Sequence, residues 1–546
     1  MDPTSSRVPQ RRRRPPRWLW IVLGLAVAAI AFLQGTDLAA DHSKANVLTM
    51  LVVLLVTLIF LAWFSLSSAY PKAVRLAVSA GSLVAVAAFF LLFRLERFTG
   101  EMLPSFAYRF AEKPDRALPS SEPPRGTAVL HVDLRSTTAA DFPEFLGPGR
   151  RLCVSGVRLA RDWKAQPPQL LWRQEIGAGW SGFSVVGRHA LTMEQRGPAE
   201  MVTCYALATG RLEWSYCYAA RFETVPAGTG PRATPTIDEG LVYALGATGH
   251  LVCLDGATGQ CRWEKDLLND YGLSAEDEAT AVQHGRANSP LVAGRLLIVP
   301  AGGPAGGRRV SLAAYDKKTG ALAWESGRRQ VSYASPTLAT LCGVEQVLSV
   351  NEDSVSGHDP KTGKLLWDFP WDGQNSIFPN VAQPVPVSSD GVFVSKAYGG
   401  GSMLVRLTPG PDGALSPAAA WKNARLMRTK FTNVAVKDGY AYGLSDGILE
   451  CVELATGRQM WKGGRYQHGQ LLRVGELLLV SSEAGQVALV EASPERGNLV
   501  LGRFQAIQGM TWNNLALCGS SLLVRNAEEA ACYKLPLEPP QANANQ

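Results

Sequence analysis

An eleven-residue unit recurs five times in the C-terminal two-thirds of this chain and restricts its fold more than any other feature. It reads CYALATGRLEW at 204–214, CLDGATGQCRW at 253–263 and AYDKKTGALAW at 314–324, then GHDPKTGKLLW at 357–367 and CVELATGRQMW at 451–461. Every copy has a small first residue, Thr-Gly at positions six and seven, and Trp at eleven; four of the five carry an acid at position three, Ala206 being the exception. The glycines Gly210, Gly259, Gly320, Gly363 and Gly457 permit the positive φ that closes a hairpin. An acid at the start of the turn accepts hydrogen bonds from its amides. Trp214, Trp263, Trp324, Trp367 and Trp461 then lie on the outgoing strand, where an indole ring buries a large apolar area between neighbouring units. The small first residue leaves room for that ring.

Alternating strands precede each unit, as in GLVYAL at 240–245. Four short strands repeated every 40–60 residues or so predict the blades of a β-propeller. Counted by the outermost strand, Trp172, Trp214, Trp263, Trp324, Trp367, Trp421 and Trp461 mark seven blades and Phe504 an eighth. The strand around Trp172 has no complete blade before it, and strands at 515–537 have no Trp strand after them. One blade shared by both ends closes the ring and removes exposed sheet edges.

Three uncharged apolar runs, at 18–33, 47–66 and 76–93, precede the repeats. A membrane helix needs about 17–25 residues, which the second and third reach and the first attains with Gln34 and Gly35. Six arginines against one aspartate give residues 1–17 a charge of +5, which holds that end in the cytoplasm; the next loop has only Lys44. The predicted order is in, out, in, out, with everything beyond residue 93 outside the cytoplasm of a bacterial cell, on the periplasmic side of its inner membrane. A cleaved signal peptide ending near Leu38-Ala39-Ala40 places the C-terminal part on the same side. The expected organisation is a basic tail at 1–17, three spans within 18–95, a stiff linker at 96–141 around Glu122-Pro-Pro-Arg125, a propeller at 142–537, and a disordered tail at 538–546.

The net charge of +7 shrinks to +2 once residues 1–17 are set aside, so no broad basic surface for nucleic acid is expected. The nine cysteines form no CxxC and no adjacent pair, and no Walker A, HExxH or EF-hand pattern occurs. Cys204, Cys253 and Cys451 fill the same small, buried slot as Ala314 and Gly357, whereas Cys253 and Cys261 flank one turn and can pair in an oxidising compartment. GLSDG at 443–447 matches a hydrolase elbow but aligns with an inter-strand turn of an earlier blade and lacks a following helix.

The A-x-D-x-x-T-G-x-x-x-W unit resembles the tryptophan-docking motif of PQQ-type propellers, shared by quinoprotein alcohol dehydrogenases and BamB-like assembly proteins. The resemblance covers about 142–537 and implies an all-β, eight-bladed PQQ-type propeller behind an N-terminal three-helix membrane region. Enzymes of that group are similar to one another in a vicinal Cys-Cys disulfide beside the quinone, a bound calcium and a catalytic Asp. This chain has no adjacent cysteines, and its acids Asp255, Asp316, Asp359 and Glu453 sit in hairpin turns. No PQQ, calcium or other metal is therefore expected, and no catalytic residue is assigned. The alternative is a quinoprotein dehydrogenase.

The innermost strands should start at one channel mouth, and equivalent positions of a closed ring point to one axis. Arg232, Arg286, Lys430 and His468 recur there with Asn288, Tyr333, Trp512 and Asn513. Convergent cations with flat rings suit an acidic peptide or a glycan. The expected role is a non-catalytic platform for an envelope protein, peptide or glycan, tethered to the lipid bilayer by three helices. Reporter fusions at Gln541 check the orientation: a reporter that works only outside the cytoplasm should be active, and one that works only inside should be silent.

Overall fold

The computed structural model of the protein describes residues 15–36, 42–119, 132–376 and 378–539. The tail at 1–14, the cleavage site at 38–40, the Glu122–Arg125 stretch of the linker and the tail beyond 539 lie outside these residues. The chain divides into two units, Met1–Ala111 and Glu112–Gln546.

The first unit holds three long apolar helices: α1 (Arg17–Gly35), α2 (His42–Ser67) and α3 (Lys72–Leu92). At about 1.5 Å per residue they run roughly 28, 39 and 31 Å, lengths that can cross a hydrocarbon core. The helices extend past the uncharged runs because polar residues at their ends continue the helix toward the interface. Gln34 bonds Asn46 and Thr49 at 3.0 Å each, tying the end of α1 to the start of α2. The chain leaves α3 directly into an antiparallel hairpin, Phe93–Phe98 with Pro104–Tyr108. The linker expected to begin at residue 96 therefore starts with regular structure.

The second unit is an eight-bladed propeller. Blades 1 to 7 are built on four antiparallel strands each, spanning 184–219, 236–266, 291–326, 337–370, 385–423, 435–465 and 470–505, and blade 7 carries a fifth, parallel strand at its inner edge. Blade 8 joins Ala516–Cys518, Ser521–Arg525 and Glu529–Lys534 to the N-terminal strand Gln169–Glu175, in which Trp172 faces Cys532. The ends of the propeller thus share one blade, as the strand pattern predicts. Packing begins before residue 142, however: Val132 and Leu134 are buried in the core between blades 1 and 2. Their two-residue alternation with Asp133 and Arg135 is too short to stand out in a polar segment.

One contact repeats around the ring. A Cβ on Gly210, Gly259, Gly320, Gly363 or Gly457 would lie 2.6–2.8 Å from the indole of the preceding blade: Trp172, Trp214, Trp263, Trp324 and Trp421 respectively. Each glycine has φ between 68° and 73°, so it is needed both for the turn and for the close approach. Each indole N–H also donates to the carbonyl at position four of the facing unit, from Trp172 to Leu207 at 2.8 Å through Trp324 to Pro360 at 3.2 Å. Trp367 departs from the pattern and bonds Gln346 of its own blade at 2.6 Å, whereas Trp461 still reaches Ser493 O of blade 7 at 2.9 Å although that blade, like blade 5, has no Thr-Gly unit. Asp255, Asp316 and Asp359 each accept bonds from the next amides and the Thr hydroxyl of their turns.

A buried charge network closes the seam between blades 8 and 1. Fully buried Arg525 donates to Thr192 Oγ1 at 2.6 Å, Met193 O at 2.9 Å and Gly177 O at 2.8 Å. Beside it Glu194 accepts from Arg196, Thr203, Tyr205 and the Gly177 amide. Burial pushes the Glu194 carboxyl up, but Arg196 and Arg525 outweigh it and hold it below the usual carboxylate range.

The segment 142–154 runs across the innermost strands of several blades. Phe142 bridges Val185 of blade 1, and Pro143 O accepts from Ile237 of blade 2. Arg150 reaches Ser289 O of blade 3 at 3.0 Å and Pro336 O of blade 4 at 2.9 Å, while its own carbonyl accepts from Gln383 of blade 5. Cys153–Val154 then adds a parallel strand to blade 7. Leu146, Arg150 and Leu152 have φ of 63°, 57° and 51°, costs of about 1–3 kcal/mol each that the buried Arg150 bonds offset.

All nine cysteines are free thiols. Cys261 lies opposite Leu254 and Trp263 opposite Cys253, so a bulge separates the two cysteines read as a possible pair. In blade 6, Ser445 and Gly447 belong to a hairpin turn, as the alignment with an earlier blade implies. Trp214→Ala should cost about 3–5 kcal/mol in denaturant unfolding. Trp263→Ala should cost less, since that ring is partly exposed. Gly259→Ala should cost about 2–4 kcal/mol through strain at positive φ and overpacking.

Candidate functional site

The innermost strands are linked near their starts by side chains that satisfy backbone groups of the next blade. Asn513 donates to Gly179 O and Ser181 O at 3.1 and 2.8 Å, joining blade 8 to blade 1. Thr234 accepts from the Gly182 amide at 3.1 Å, and Ser289 accepts from the Thr234 amide at 2.9 Å. Asn288 donates to Ser332 O and Ala334 O at 2.9 and 2.7 Å. The Tyr333 amide bonds Asn380 O at 3.1 Å, and Asn433 accepts from the Gln383 amide at 2.9 Å. Gln470 completes the circuit by donating to Phe431 O and Trp512 O at 2.9 and 2.8 Å. Asn288 and Asn513 are buried, and the NH2 group of each is committed to this ring while its Oδ1 has no hydrogen-bond partner among the described residues. They hold the blades and do not present donors to a ligand.

Arg286 requires a second correction. It is fully buried, bonds both oxygens of Glu278 at 2.6 and 2.9 Å, and donates to Pro300 O and Ala301 O. Its charge is neutralised inside the protein and does not join a cationic mouth. Glu278 sits on a short helix, Ala275–Ala281, started by a capping box between Ser274 and Asp277. That helix lies in an insertion between blades, where the repeat carries no information about what folds back.

The remaining candidates form two groups. Arg232 stacks on Phe222 at 4.5 Å from the ring centroid and donates to Gly230 O, Ala227 O and Gly228 O. Among the described residues no carboxylate bonds it directly, although the buried Glu200 carboxyl acts on its charge through space. Burial pushes its guanidinium down to about 10, so it stays charged at neutral pH. His284 and Tyr333 stack beside it at 5.6 Å. Burial first, and then the Arg232 charge, lower His284 to about 4, so this imidazole is neutral at pH 7. Burial raises the Tyr333 phenol, which therefore stays protonated.

The second group is mainly aromatic. Trp512 packs against Trp180 and Phe431, each at 4.8 Å, and its indole donates to Glu483 at 3.1 Å. Phe431 meets His468 edge-on at 5.8 Å, and the Lys430 ammonium lies 5.5 Å from the Tyr398 ring and 5.7 Å from that of Phe431. Trp180 links this group to the first, because its indole donates to Ala227 O at 2.6 Å in the same loop that caps Arg232. A chain of contacts thus runs from Lys430 through Phe431, Trp512 and Trp180 to Arg232. Sequence reasoning missed Trp180, Phe431, Phe222, Tyr398 and His284, none of which occupies a recurring position of the repeat. Only Phe431, next to Lys430, and His284, two residues before Arg286, stood near a residue already singled out; Trp180, Phe222 and Tyr398 carried no such signal. A separate surface cleft of about 640 Å³ is lined by Arg308, Arg309, Arg328 and Glu325.

The depressed His284 has a consequence for stability. The unfolded imidazole titrates near 6.5 and the folded one near 4, so the unfolded state binds more protons between these values. Stability contributed by neutral His284 is complete above about pH 6.5 and is lost as pH falls toward 4, by up to about 3 kcal/mol. His358, buried in blade 4 and also lowered to about 4, acts with the same sign. Urea unfolding at stepped pH should show this slope, and His284→Gln should flatten part of it.

Comparison with known proteins bears on the fold. A family profile described as outer membrane protein assembly factor BamB matches residues 165–463. Comparison with curated protein sequences gave no significant match. Among solved structures the chain is similar to a europium-containing methanol dehydrogenase, at 11% identity and TM-score 0.56 over 73% of this chain and 98% of that one. It is also similar to quinohemoprotein alcohol dehydrogenase from Comamonas testosteroni, at 11% identity and TM-score 0.51 over 74% and 82%. BamB from Moraxella catarrhalis matches at 16% identity and TM-score 0.46, over 67% and 100%. At these identities the likeness is one of fold.

Proposed function

This chain belongs to the family of the outer membrane protein assembly factor BamB, and on that premise we propose that it is a non-catalytic scaffold anchored in a bacterial inner membrane. Its propeller works on the periplasmic side and holds an acidic segment of an envelope protein at the channel mouth. The observation that carries this reading is Arg232, a charged guanidinium fixed on Phe222 and bonded directly to no carboxylate among the described residues, with the buried Glu200 carboxyl acting on it only through space. Such a group attracts an anion, and the aromatic chain through Trp180 and Trp512 supplies apolar surface beside it. Three helices long and apolar enough to span a bilayer support the membrane anchor. The Arg-rich flank of the first helix supports the orientation.

The quinoprotein alternative finds less support. No two cysteines are adjacent in the chain. Of the acids on the mouth side, Glu278 is bound to Arg286 on both oxygens, and Glu483 accepts from the Trp512 indole. On this donor set calcium and a quinone have no ready seat, and nothing in the proposed role passes through them. The absorption spectrum of purified protein, and dye-linked alcohol oxidation after adding quinone and calcium, should both be blank.

The binding reading is tested with the detergent-solubilised full chain and a labelled Asp/Glu-rich peptide. Affinity should fall steeply as ionic strength rises from about 0.05 to about 0.5 M. A folded Arg232→Gln variant should bind at least tenfold more weakly. Unchanged binding by that variant, or capture of an uncharged glycan with no salt dependence, would overturn the acidic-segment reading.

A further inference from the structure

The repeat acts as an internal control, because a side chain that departs from it in one blade is not demanded by the fold. In blade 1, three neighbouring strands bring together His189, Cys204 and Glu213, whose ligand atoms all lie within 4.8 Å of one another. His189 Nδ1 is 2.6 Å from Glu213 Oε2, and the Cys204 thiol donates to the same oxygen at 3.8 Å. Cys204 is fully buried, whereas the side chains of His189 and Glu213 keep 13% and 5% exposure, which leaves an approach from solvent.

The strand registers identify the equivalent positions elsewhere. Leu191 faces Cys204 as Tyr243 faces Cys253, Ile298 faces Ala314, Leu348 faces Gly357 and Tyr442 faces Cys451. Two residues earlier, the His189 position holds Leu241, Leu296, Gln346 and Tyr440. The residue before the Trp, Glu213 in blade 1, is Arg262, Ala323, Leu366 or Met460. No other copy of the unit combines a nitrogen, a sulfur and an oxygen donor here.

We propose that His189, Cys204 and Glu213 bind a borderline divalent transition metal, zinc above all, with water as the fourth ligand. The mixed donor set argues for zinc over magnesium or calcium, which take oxygen ligands. With bonds of about 2.0–2.3 Å, ligand atoms of a tetrahedral zinc stand about 3.3–3.8 Å apart. The His189–Glu213 contact therefore opens slightly and the thiol draws closer, movements that side-chain rotation supplies while the strands stay fixed. On binding, the thiol proton passes to solvent, and the imidazole carries its proton on Nε2 so that Nδ1 faces the ion. This inference is independent of the binding role assigned to the mouth.

The experiment uses the detergent-solubilised full chain, reduced and stripped of metal, with cobalt(II) as a spectroscopic probe. One equivalent should produce a near-ultraviolet thiolate-to-cobalt charge-transfer band and visible bands of tetrahedral intensity, both abolished by added zinc. Cys204→Ala, His189→Leu and Glu213→Ala each install the residue of another blade, so the fold has already accommodated them. The first should abolish the charge-transfer band, and the other two should weaken cobalt binding at least tenfold. X-ray absorption at the zinc edge of the unaltered protein, which needs no variant, should show one sulfur among lighter ligands. Folded protein that binds no cobalt, a band that survives Cys204→Ala, or two or more sulfurs around zinc overturns the proposal.

Discussion

The contact between a tryptophan on one blade and the turn glycine of the next underlies the whole propeller. A sheet of four short strands cannot bury both of its faces alone, so each blade is stable only against its neighbours. The indole ring covers the glycine, and its N–H satisfies the carbonyl three residues earlier in the same turn, as from Trp214 to Gly256 at 3.0 Å. Apolar burial and hydrogen bonding therefore demand the same geometry. At blade 5, which lacks the unit, the preceding Trp367 turns to Gln346 of its own blade and the interface relies on ordinary packing of Trp371, Val392 and Val394, whereas at blade 7, which also lacks it, Trp461 still bonds Ser493 O.

Closing that ring creates an axis, and the axis sorts the polar residues. Side-chain amides near the blade starts are consumed by backbone groups of adjacent blades. Charged residues reaching the interior must be paired, because an isolated buried charge is too costly. Arg525 meets this condition with carbonyls and the nearby Glu194, Arg150 with Glu144 and carbonyls, and Arg286 with Glu278. Arg232 is likewise held by carbonyls, three of them, and by a phenyl ring, with the buried Glu200 carboxyl as the acid that opposes its charge.

Function in a repeat protein resides in its departures from the repeat. Arg232, Trp180 and the His189–Cys204–Glu213 group share this property, for none is reproduced by the other blades. The recurring cysteines illustrate the converse. Cys253 and Cys451 fill the small slot, and burial raises both thiols to about 12, which suits inert packing residues. Cys204 occupies the same slot and its thiol is raised as well, by burial and by Glu213, so it is the neighbouring histidine and carboxylate donors that set it apart.

Much of the architecture was legible from spacing alone. The Thr-Gly and Trp positions specified the blade turns, Trp172 and the C-terminal strands specified a shared blade, and three uncharged runs specified the long helices. These signals survive in sequence because they rest on local turn chemistry and on periodic burial, both of which act over a few residues. The pairing of Arg286 with Glu278, the commitment of Asn288 and Asn513 to neighbouring blades, and the reach of Arg150 across several blades were decided by the tertiary structure. Each joins residues whose separation in the chain follows no period, and Arg150 contacts lie up to 233 residues apart. Composition and position could nominate these side chains for the axis. Only ring closure determined which were used up in holding the fold, because desolvation and hydrogen-bond satisfaction depend on every blade that surrounds them.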